Sequence, residues 1–397
     1  MIFPPFTGPF GGERKLLRLA CSLSKMGHSV SVYTPRYNHK CDYMIDHPIE
    51  IVETGFVSSG SWYMFQVVQP LFMTKLAFRL DERQVDIIDA HNHPSLASIL
   101  VAKYMGKLRN TPIVYECNEP PRFLYDLKKE TLEKILSTPI KRAISQLPML
   151  IYRQLDKSAV RYVDEIIVLS SFIQKQVKEI YDRNSTVTRE GVDIAKFNPQ
   201  VDGSEIRRHY LLADDDPLII TVNKLHHRKR LDLLIKAAPF ILERFPKAKV
   251  LIVGEGPEKS MLKTLINSLN LQKSVILTGF VSGGDLPKYY AAADIFVFTA
   301  SKEPLPGSPL EAMASGKPVI LPREGGCPEI CTDGENGLFF PSGDVEALVD
   351  QVCLLIENIE LRRKLGKNAR EHVEKNFTWD KATIKTLQVY ERAINKI

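Results

Sequence analysis

Two glutamates bracket the segment Glu303-Pro-Leu-Pro-Gly-Ser-Pro-Leu-Glu311, which runs on into Ala-Met-Ala-Ser-Gly316-Lys-Pro. An apolar run over 294–299 precedes it, so the reading is a strand, a loop and a short helix that stops at Gly316. Ser308 suits the N-cap, Pro309 the first helical position and Glu311 the third, which together make a capping box. A helix start of this kind presents unpaired N–H groups and a positive dipole end, and so attracts anions, phosphate above all. Gly307, Ser308, Pro309 and Leu310 would line it. Acidic groups flanking an anion site make sense if they hold hydroxyls. The chemistry suggested is a sugar nucleotide, with diphosphate at the helix start and sugar and ribose at the glutamates. Capping alone would also account for Glu311.

Further candidates lie elsewhere. Lys224 and Lys229, with Arg228 and Arg230 beside them, follow an apolar run over 218–222. Cations past the carboxyl end of a strand suit a diphosphate and a leaving group that gains charge; a solvated basic loop is the plainer alternative. Gly254-Glu-Gly256-Pro257 is a tight turn after the next apolar run. His91, with His93 next but one, follows the run over 85–90, where it would hydrogen-bond a sugar hydroxyl or steady the reacting centre. Gly11 and Gly12, before a helix, make a second anion or acceptor loop. Asp214-Asp-Asp216 precedes Pro217, away from any strand carboxyl end, and reads as a solvated turn rather than a metal site.

The elements that must position these groups alternate. The start, 1–3, reads as the tail of a short first strand. A helix over 13–26 follows, ended by Gly27. Strands fit 29–34, 49–54, 85–90, 113–116 and 165–169. After Arg189-Glu-Gly191-Val-Asp193 the pattern restarts, with strands at 218–222, 249–253, 274–277, 295–299, 318–321 and 337–340. Strand–helix alternation predicts parallel sheets wrapped by helices, an α/β class. Its repetition predicts two Rossmann-like domains: 1–190, joined by a C-terminal helix over 379–397 that crosses back to it, and 200–378, with a hinge near 186–200.

The chain has 397 residues and a formal net charge of +6, with no basic arm or RNA-binding aromatic motif, so nucleic acid is not an expected partner. Its six cysteines show no paired metal spacing and read as reduced thiols of a cytoplasmic protein. No signal peptide is expected, because Pro4 and Pro5 interrupt the start, and no apolar run is long enough for a bilayer span. Residues 62–80 and 120–162 mix apolar side chains with Lys and Arg. They fit either helices packed on their own domain or a peripheral anionic membrane surface, at the inner face of the cell membrane.

With these residues placed, the chain resembles the retaining glycosyltransferases of family 4, of GT-B fold, also called glycosyl transferases group 1. The resemblance runs over nearly the whole length. Its strongest part is Glu303 to Glu311 with Glu-Ala-Met-Ala-Ser-Gly-Lys-Pro-Val, then Gly325-Gly-Cys-Pro-Glu-Ile330 and Asn336-Gly-Leu. Leu251-Ile-Val-Gly-Glu-Gly-Pro257, Gly279-Phe-Val281, Tyr290-Ala-Ala-Ala-Asp294, Gly191-Val-Asp193 and Gly27-His-Ser-Val also match.

The resemblance implies two domains facing a cleft, and transfer of a sugar from a nucleotide-sugar donor to a hydroxyl acceptor with retained anomeric configuration. It implies no cofactor and no metal. It places Glu303 near the reacting sugar carbon, Glu311 on the ribose, Lys224 and Lys229 on the diphosphate, His91 on the sugar, and the backbone of Phe280 and Val281 on the base. Gly254 joins the donor-binding set. The acceptor expected is a lipid-linked or cell-surface glycan. Three features depart from the pattern: Asn223-Lys224 stands where the family has Gly-Arg, Pro306 where glycine is common, and Phe10 where the amino-terminal loop has its first glycine. A nucleotide-sugar epimerase, a sugar phosphorylase (which would need a lysine-bound pyridoxal phosphate) and a catalytically silent sugar-nucleotide binder are the competing readings.

Overall fold

The structure, a computed structural model, describes residues 1–397 apart from 5, 7–10, 56–84, 107, 109, 126–138 and 397. The expected amphipathic stretch at 62–80, the middle of 120–162, and Phe10 therefore lie outside the described residues. The chain divides into two compact units, Met1–Arg189 with Ala382–Ile397, and Glu190–Lys381.

The second unit carries six parallel strands: β7 (Leu218–Val222), β8 (Lys249–Val253), β9 (Val275–Gly279), β10 (Ile295–Val297), β11 (Val319–Pro322) and β12 (Leu338–Phe340). Their spatial order is β12-β11-β10-β7-β8-β9. Leu218–Thr221 and Val319–Pro322 are buried without interruption, as expected of strands covered by helices on both faces. The helices Leu231–Arg244 and Val345–Glu357 supply one cover, packing Leu234, Ile235, Ala238, Leu348 and Val352 into a core with Ile219, Val250 and Ile320. Strand order reverses between β7 and β10, and the carboxyl ends of strands at such a reversal are where open α/β sheets place their ligands.

The first unit repeats this plan. β1 (Ser31–Thr34) pairs in parallel with β2 (Glu50–Glu53), and β3 (Ile88–His91), β4 (Ile113–Cys117), β5 (Glu165–Val168) and β6 (Thr186–Val187) pair in sequence order. Ile2 bridges Tyr33 on one side and Ala90 on the other, joining the two halves. The expected first strand is thus reduced to a single bridging residue. The reversal falls between Ile2 and β3, which directs attention to the residues after each.

Several boundaries differ from the expectation. The first helix spans Gly11–Lys25, so Gly11 and Gly12 are its opening residues rather than a loop before it; the first N–H groups of a helix lack internal partners, and glycine there forfeits little. β3 includes His91, which was expected just beyond it. The last helix, Trp379–Ile394, enters the first unit at Ala382, where Tyr390 and Ala393 are buried. Asp214 and Asp215 are exposed in a turn. The six cysteines are unpaired and buried.

Candidate functional site

In the second unit the expected residues gather at the strand-order reversal. The loop after β7 carries Lys224 and Lys229, and the loop after β10 carries Glu303. The two loops are sewn together by backbone bonds. Ser301 N–H donates to the Arg228 carbonyl at 3.0 Å, and the Thr299 hydroxyl donates to the Lys229 carbonyl at 2.7 Å. The side chains then meet: Lys229 Nζ stands 2.8 Å from Glu303 Oε2, with Arg228 Nη2 3.9 Å from the same oxygen. Lys229 and Glu303 remain about one-fifth exposed, so the pair is accessible to a ligand. Lys224 is exposed on the same loop. Burial first, then the charges of His227, Arg228, Lys224 and Lys229, pushes the His226 pKa below its usual value. The cations of this loop thus add to the effect of burial on His226.

Backbone close packing holds the loops in place. Gly254, at φ 140°, lies so near the loop after β7 that a Cβ would come within 1.9 Å of the Asn223 carbonyl oxygen. Leu225 N–H bonds the Glu255 carbonyl at 2.9 Å, fastening the Lys224 loop to the turn after β8. Gly326 N–H donates to the Glu303 carbonyl at 2.8 Å, and a Cβ on Gly326 would sit 2.0 Å from the Pro304 oxygen. Lys302, at φ 48°, is a non-glycine residue in the left-handed region immediately before Glu303, a strained backbone at a place where function tolerates it.

The capping box does not form. The helix is Gly307–Ala314, with Pro306 at the N-cap and no side-chain cap bond. Pro306, at φ −82° and ψ 113°, sets the extended cap conformation itself. Ser308 and Pro309 consequently fall inside the first turn, and Glu311 lies too far along to reach back to the cap. Glu311 instead is buried and accepts a 2.7 Å hydrogen bond from the Tyr290 hydroxyl, a contact not anticipated from sequence. Gly307 and Ser308 are half-buried and Leu310 buried. Phe280 is 58% exposed and Val281 half-buried, just past β9.

In the first unit His91 ends β3, but its ring is sealed from solvent. Asp89 Oδ2 faces Nε2 at 2.9 Å and Glu116 Oε2 faces Nδ1 at 3.5 Å. The expectation of a histidine open to a sugar hydroxyl is thereby corrected: each ring nitrogen already faces a carboxylate. Residues i and i+2 of a strand share a face, which puts Asp89 and His91 side by side, and β4 brings Glu116 into register opposite His91. Lys15, from the first helix, pairs with Glu116 and donates to Asn118 at 3.0 Å. Tyr390, from the last helix, donates its hydroxyl to Asp89. Burial acts first and raises the Asp89 pKa, but the His91 charge and the His91 and Tyr390 hydrogen bonds outweigh it and hold the carboxyl below its usual range. Asp89, His91 and Glu116 bring three potential metal-ligating atoms within 4.8 Å of one another, and the Lys15 ammonium already pairs with Glu116. His93, also buried, bonds Asp156 at 2.6 Å, and Asp156 accepts from Tyr125 and Tyr181 at 2.7 Å each.

Two family models match in tandem: Glycosyltransferase Family 4 over residues 10–196 and Glycosyl transferases group 1 over residues 202–372. Among curated relatives, a sulfoquinovosyl transferase of Arabidopsis thaliana is 35% identical over 49% of this chain and 37% of its own length. An uncharacterized glycosyltransferase of Methanocaldococcus jannaschii is 30% identical over 58% of this chain and 60% of its own. The match thus spans less than two thirds of either protein. An alpha-monoglucosyldiacylglycerol synthase of Acholeplasma laidlawii is 24% identical over 90% of this chain and 88% of its own length. Of solved structures, sucrose-phosphate synthase from Thermosynechococcus elongatus superposes with a TM-score of 0.80 at 19% identity, covering 100% of this chain and 99% of that one. Anabaena HepE in complex with UDP-glucose gives 0.77 at 20%, covering 100% and 99%. The fold is GT-B, and the chain belongs to the family 4 glycosyltransferases.

Proposed function

We propose that the protein transfers a sugar from a nucleotide-sugar donor to a hydroxyl acceptor. The observation that carries the reading is the Lys229–Glu303 pair at 2.8 Å, on the two loops that leave the sheet where its strand order reverses. Lys229 and Lys224 neutralise the diphosphate, whose charge grows as the sugar departs. Glu303 supports the oxocarbenium-like charge on the reacting sugar. Glu311, braced by Tyr290, takes the ribose, and the backbone at Phe280 and Val281 meets the base.

The reaction retains configuration and uses no metal or cofactor: two cations at the donor site supply the charge that a divalent ion would otherwise bring. Several relatives carry a lipid in their names, among them the alpha-monoglucosyldiacylglycerol synthase and a GDP-mannose-dependent alpha-(1-6)-phosphatidylinositol monomannoside mannosyltransferase of Mycolicibacterium smegmatis, which favours a lipid-linked acceptor here. The helix Pro139–Arg161 leaves Leu150, Ile151 and Leu155 about half exposed with Arg161 nearby, a surface suited to peripheral contact with anionic lipid. No helix among the described residues is long and apolar enough to cross a membrane.

The deciding experiment is a thermal-shift screen of UDP-, GDP- and ADP-sugars, followed by NMR of the product's anomeric centre and a turnover assay with and without EDTA. One donor should stabilise the protein, and its sugar should emerge with unchanged anomeric configuration at an EDTA-insensitive rate. Failure of every donor to bind would sink the reading. Failure to float with anionic liposomes at low salt would remove the membrane component alone.

A further inference from the structure

We infer that Thr299, through the bond its hydroxyl gives the Lys229 carbonyl, is a positioning residue for Lys229 and fixes the ammonium for its work on the donor diphosphate; this rests on the role proposed above for Lys229. Thr299 stands just past β10 and is 1% exposed. Its hydroxyl donates to the Lys229 carbonyl at 2.7 Å. That carbonyl closes the short turn His227–Lys229, directly before the helix Leu231–Arg244. A donor from a neighbouring strand thus reaches the backbone of the very residue that carries the ammonium. A lysine ammonium rides on a flexible four-carbon stem, so its aim depends on where its backbone is anchored and on what its head rests against.

Two features tie this bond to the ammonium rather than to packing in general. The first is strain. Arg230, directly after Lys229, and Lys302, directly before Glu303, both hold the left-handed backbone at φ 48°. Non-glycine residues keep that conformation where their surroundings impose it. Released from its neighbours, the turn would relax and carry Lys229 with it. The Thr299 hydroxyl and the Ser301 N–H, which donates to the Arg228 carbonyl at 3.0 Å, tie the turn to the loop that bears Glu303. The second feature is that consecutive residues take hold of both ends of one lysine. While Thr299 binds the carbonyl, the Phe298 ring centroid lies 5.5 Å from Nζ, within cation–π reach. Phe298 is itself 1% exposed, so its ring is a fixed surface. Lys229 remains one-fifth exposed, which leaves the positioned group open to a ligand. Thr299, Lys229 and Glu303 all belong to the second unit. Simple satisfaction of a buried hydroxyl would require none of this convergence on Lys229.

The test uses Thr299→Val, Thr299→Ser, Lys229→Ala and the double variant Thr299→Val/Lys229→Ala in the full chain. Turnover is followed as nucleotide release from UDP-glucose, GDP-mannose or ADP-glucose, whichever the wild type consumes. Thr299→Val keeps the size of the side chain and removes the donor. It should lose kcat by roughly 10- to 100-fold, the scale of a misplacement approaching 1 Å. Donor KM should change much less, because the diphosphate gains charge as it departs and the ammonium matters most at that point. Thr299→Ser keeps the hydroxyl and should restore kcat to near the wild-type value. Thr299→Val should cost nothing further once Lys229 is alanine, because a residue acting through another has no effect in its absence. In ¹³C-lysine spectra the Lys229 side-chain signal should shift in Thr299→Val and return in Thr299→Ser, a reading of the hold that needs no donor. A merely structural Thr299 would lower Tm and leave that signal and the kcat of the folded fraction in place, and that result would overturn the inference. If Thr299→Val does not fold, Thr299→Ser and Thr299→Ala, which differ by the hydroxyl alone, decide it: equal kcat in the two overturns it. A fully active Lys229→Ala enzyme would remove the underlying assignment of Lys229, a failure distinct from normal turnover in Thr299→Val beside an impaired Lys229→Ala.

Discussion

Lys229 Nζ lies 2.8 Å from Glu303 Oε2, although 74 positions of chain separate them (303 minus 229). The two residues meet because β7 and β10 are neighbours in the sheet and their loops are bonded to each other through Thr299, Ser301 and the Arg228 and Lys229 carbonyls. Without a donor, the ion pair satisfies both partners and keeps the ammonium from swinging into solvent. In the proposed donor complex, the same ammonium would reach the diphosphate and the carboxylate would turn toward the sugar. Glu303→Ala should therefore abolish transfer while leaving Tm within a few degrees of the wild type, since both side chains are partly exposed and the pair contributes little to stability. Near-normal turnover in that variant would refute the role given to Glu303.

Lys224 offers a test of phosphate geometry. A lysine presents a point charge, where an arginine presents two parallel donors to a phosphate. Lys224 is exposed and close enough to His226 to depress its pKa. Lys224→Arg should keep turnover and tighten donor binding by roughly 1 kcal/mol, and Lys224→Ala should weaken it by several-fold or more. Isothermal titration with the donor and with the free nucleoside diphosphate reads both. Equal affinities across the three proteins would mean that Lys224 does not touch the phosphate.

Arg230 occupies a left-handed backbone conformation, φ 48° and ψ 38°, at the N-cap of Leu231–Arg244. A non-glycine residue there carries about 1–2 kcal/mol of strain, part of which glycine would give back through its freer unfolded chain. Arg230→Gly should raise stability by about 0.5–1 kcal/mol in urea titration, with turnover retained. The Arg230 guanidinium reaches Asp232 at 3.4 Å; both groups are partly exposed, and the pair adds little to offset this.

Much of this arrangement is readable from sequence, and the reasons are physical. Buried strands such as Leu218–Val222 and Lys249–Val253 announce themselves as mainly apolar runs, interrupted by Thr221 and opened by Lys249, and their alternation with helices leaves one class of architecture. The candidate donor site could be read because its proposed residues cluster in two short segments, Lys224 to Arg230 and Glu303 to Glu311. Tyr290, Asp89, Glu116, Lys15 and Tyr390 were not, because, the Asp89–His91 pair apart, their partners come from other elements of the fold. Asp89 two positions before His91 was the one available signal, since alternate strand residues share a face. The capping box misled for a local reason: the motif fits Ser308, but Pro306 fixes the cap two residues earlier.

Gly326 shows how the site depends on backbone contact alone. A methyl group there would meet the Pro304 oxygen at 2.0 Å and the Leu305 Cα at 3.2 Å, and neither atom can move without shifting Glu303. Gly326→Ala should lower stability by about 1–3 kcal/mol and reduce kcat far more than the fraction unfolded explains. Gly334, with nothing within 4 Å of an added Cβ but φ 73°, is the control: Gly334→Ala should cost about 1 kcal/mol of backbone strain and leave kcat unchanged. Matched stability losses with equal kcat in the two variants would refute the claim that Gly326 seats the catalytic loop.

Asp89 contributes to the acid limb of stability. Its folded pKa lies below the usual carboxylate value, so folding favours the ionised form. The stabilisation is fully present above the unfolded pKa of about 3.9 and is lost as pH falls through the lower folded value. In Asp89→Asn that dependence disappears, because the amide does not titrate in this range. Chemical denaturation from pH 7 down to pH 2 should show the wild type losing stability more steeply below pH 4 than the variant, with the variant already weaker at neutral pH. Parallel acid curves for the two proteins would show that the carboxylate is no more ionised in the folded chain than in the unfolded one, and that His91 and Tyr390 do not hold it.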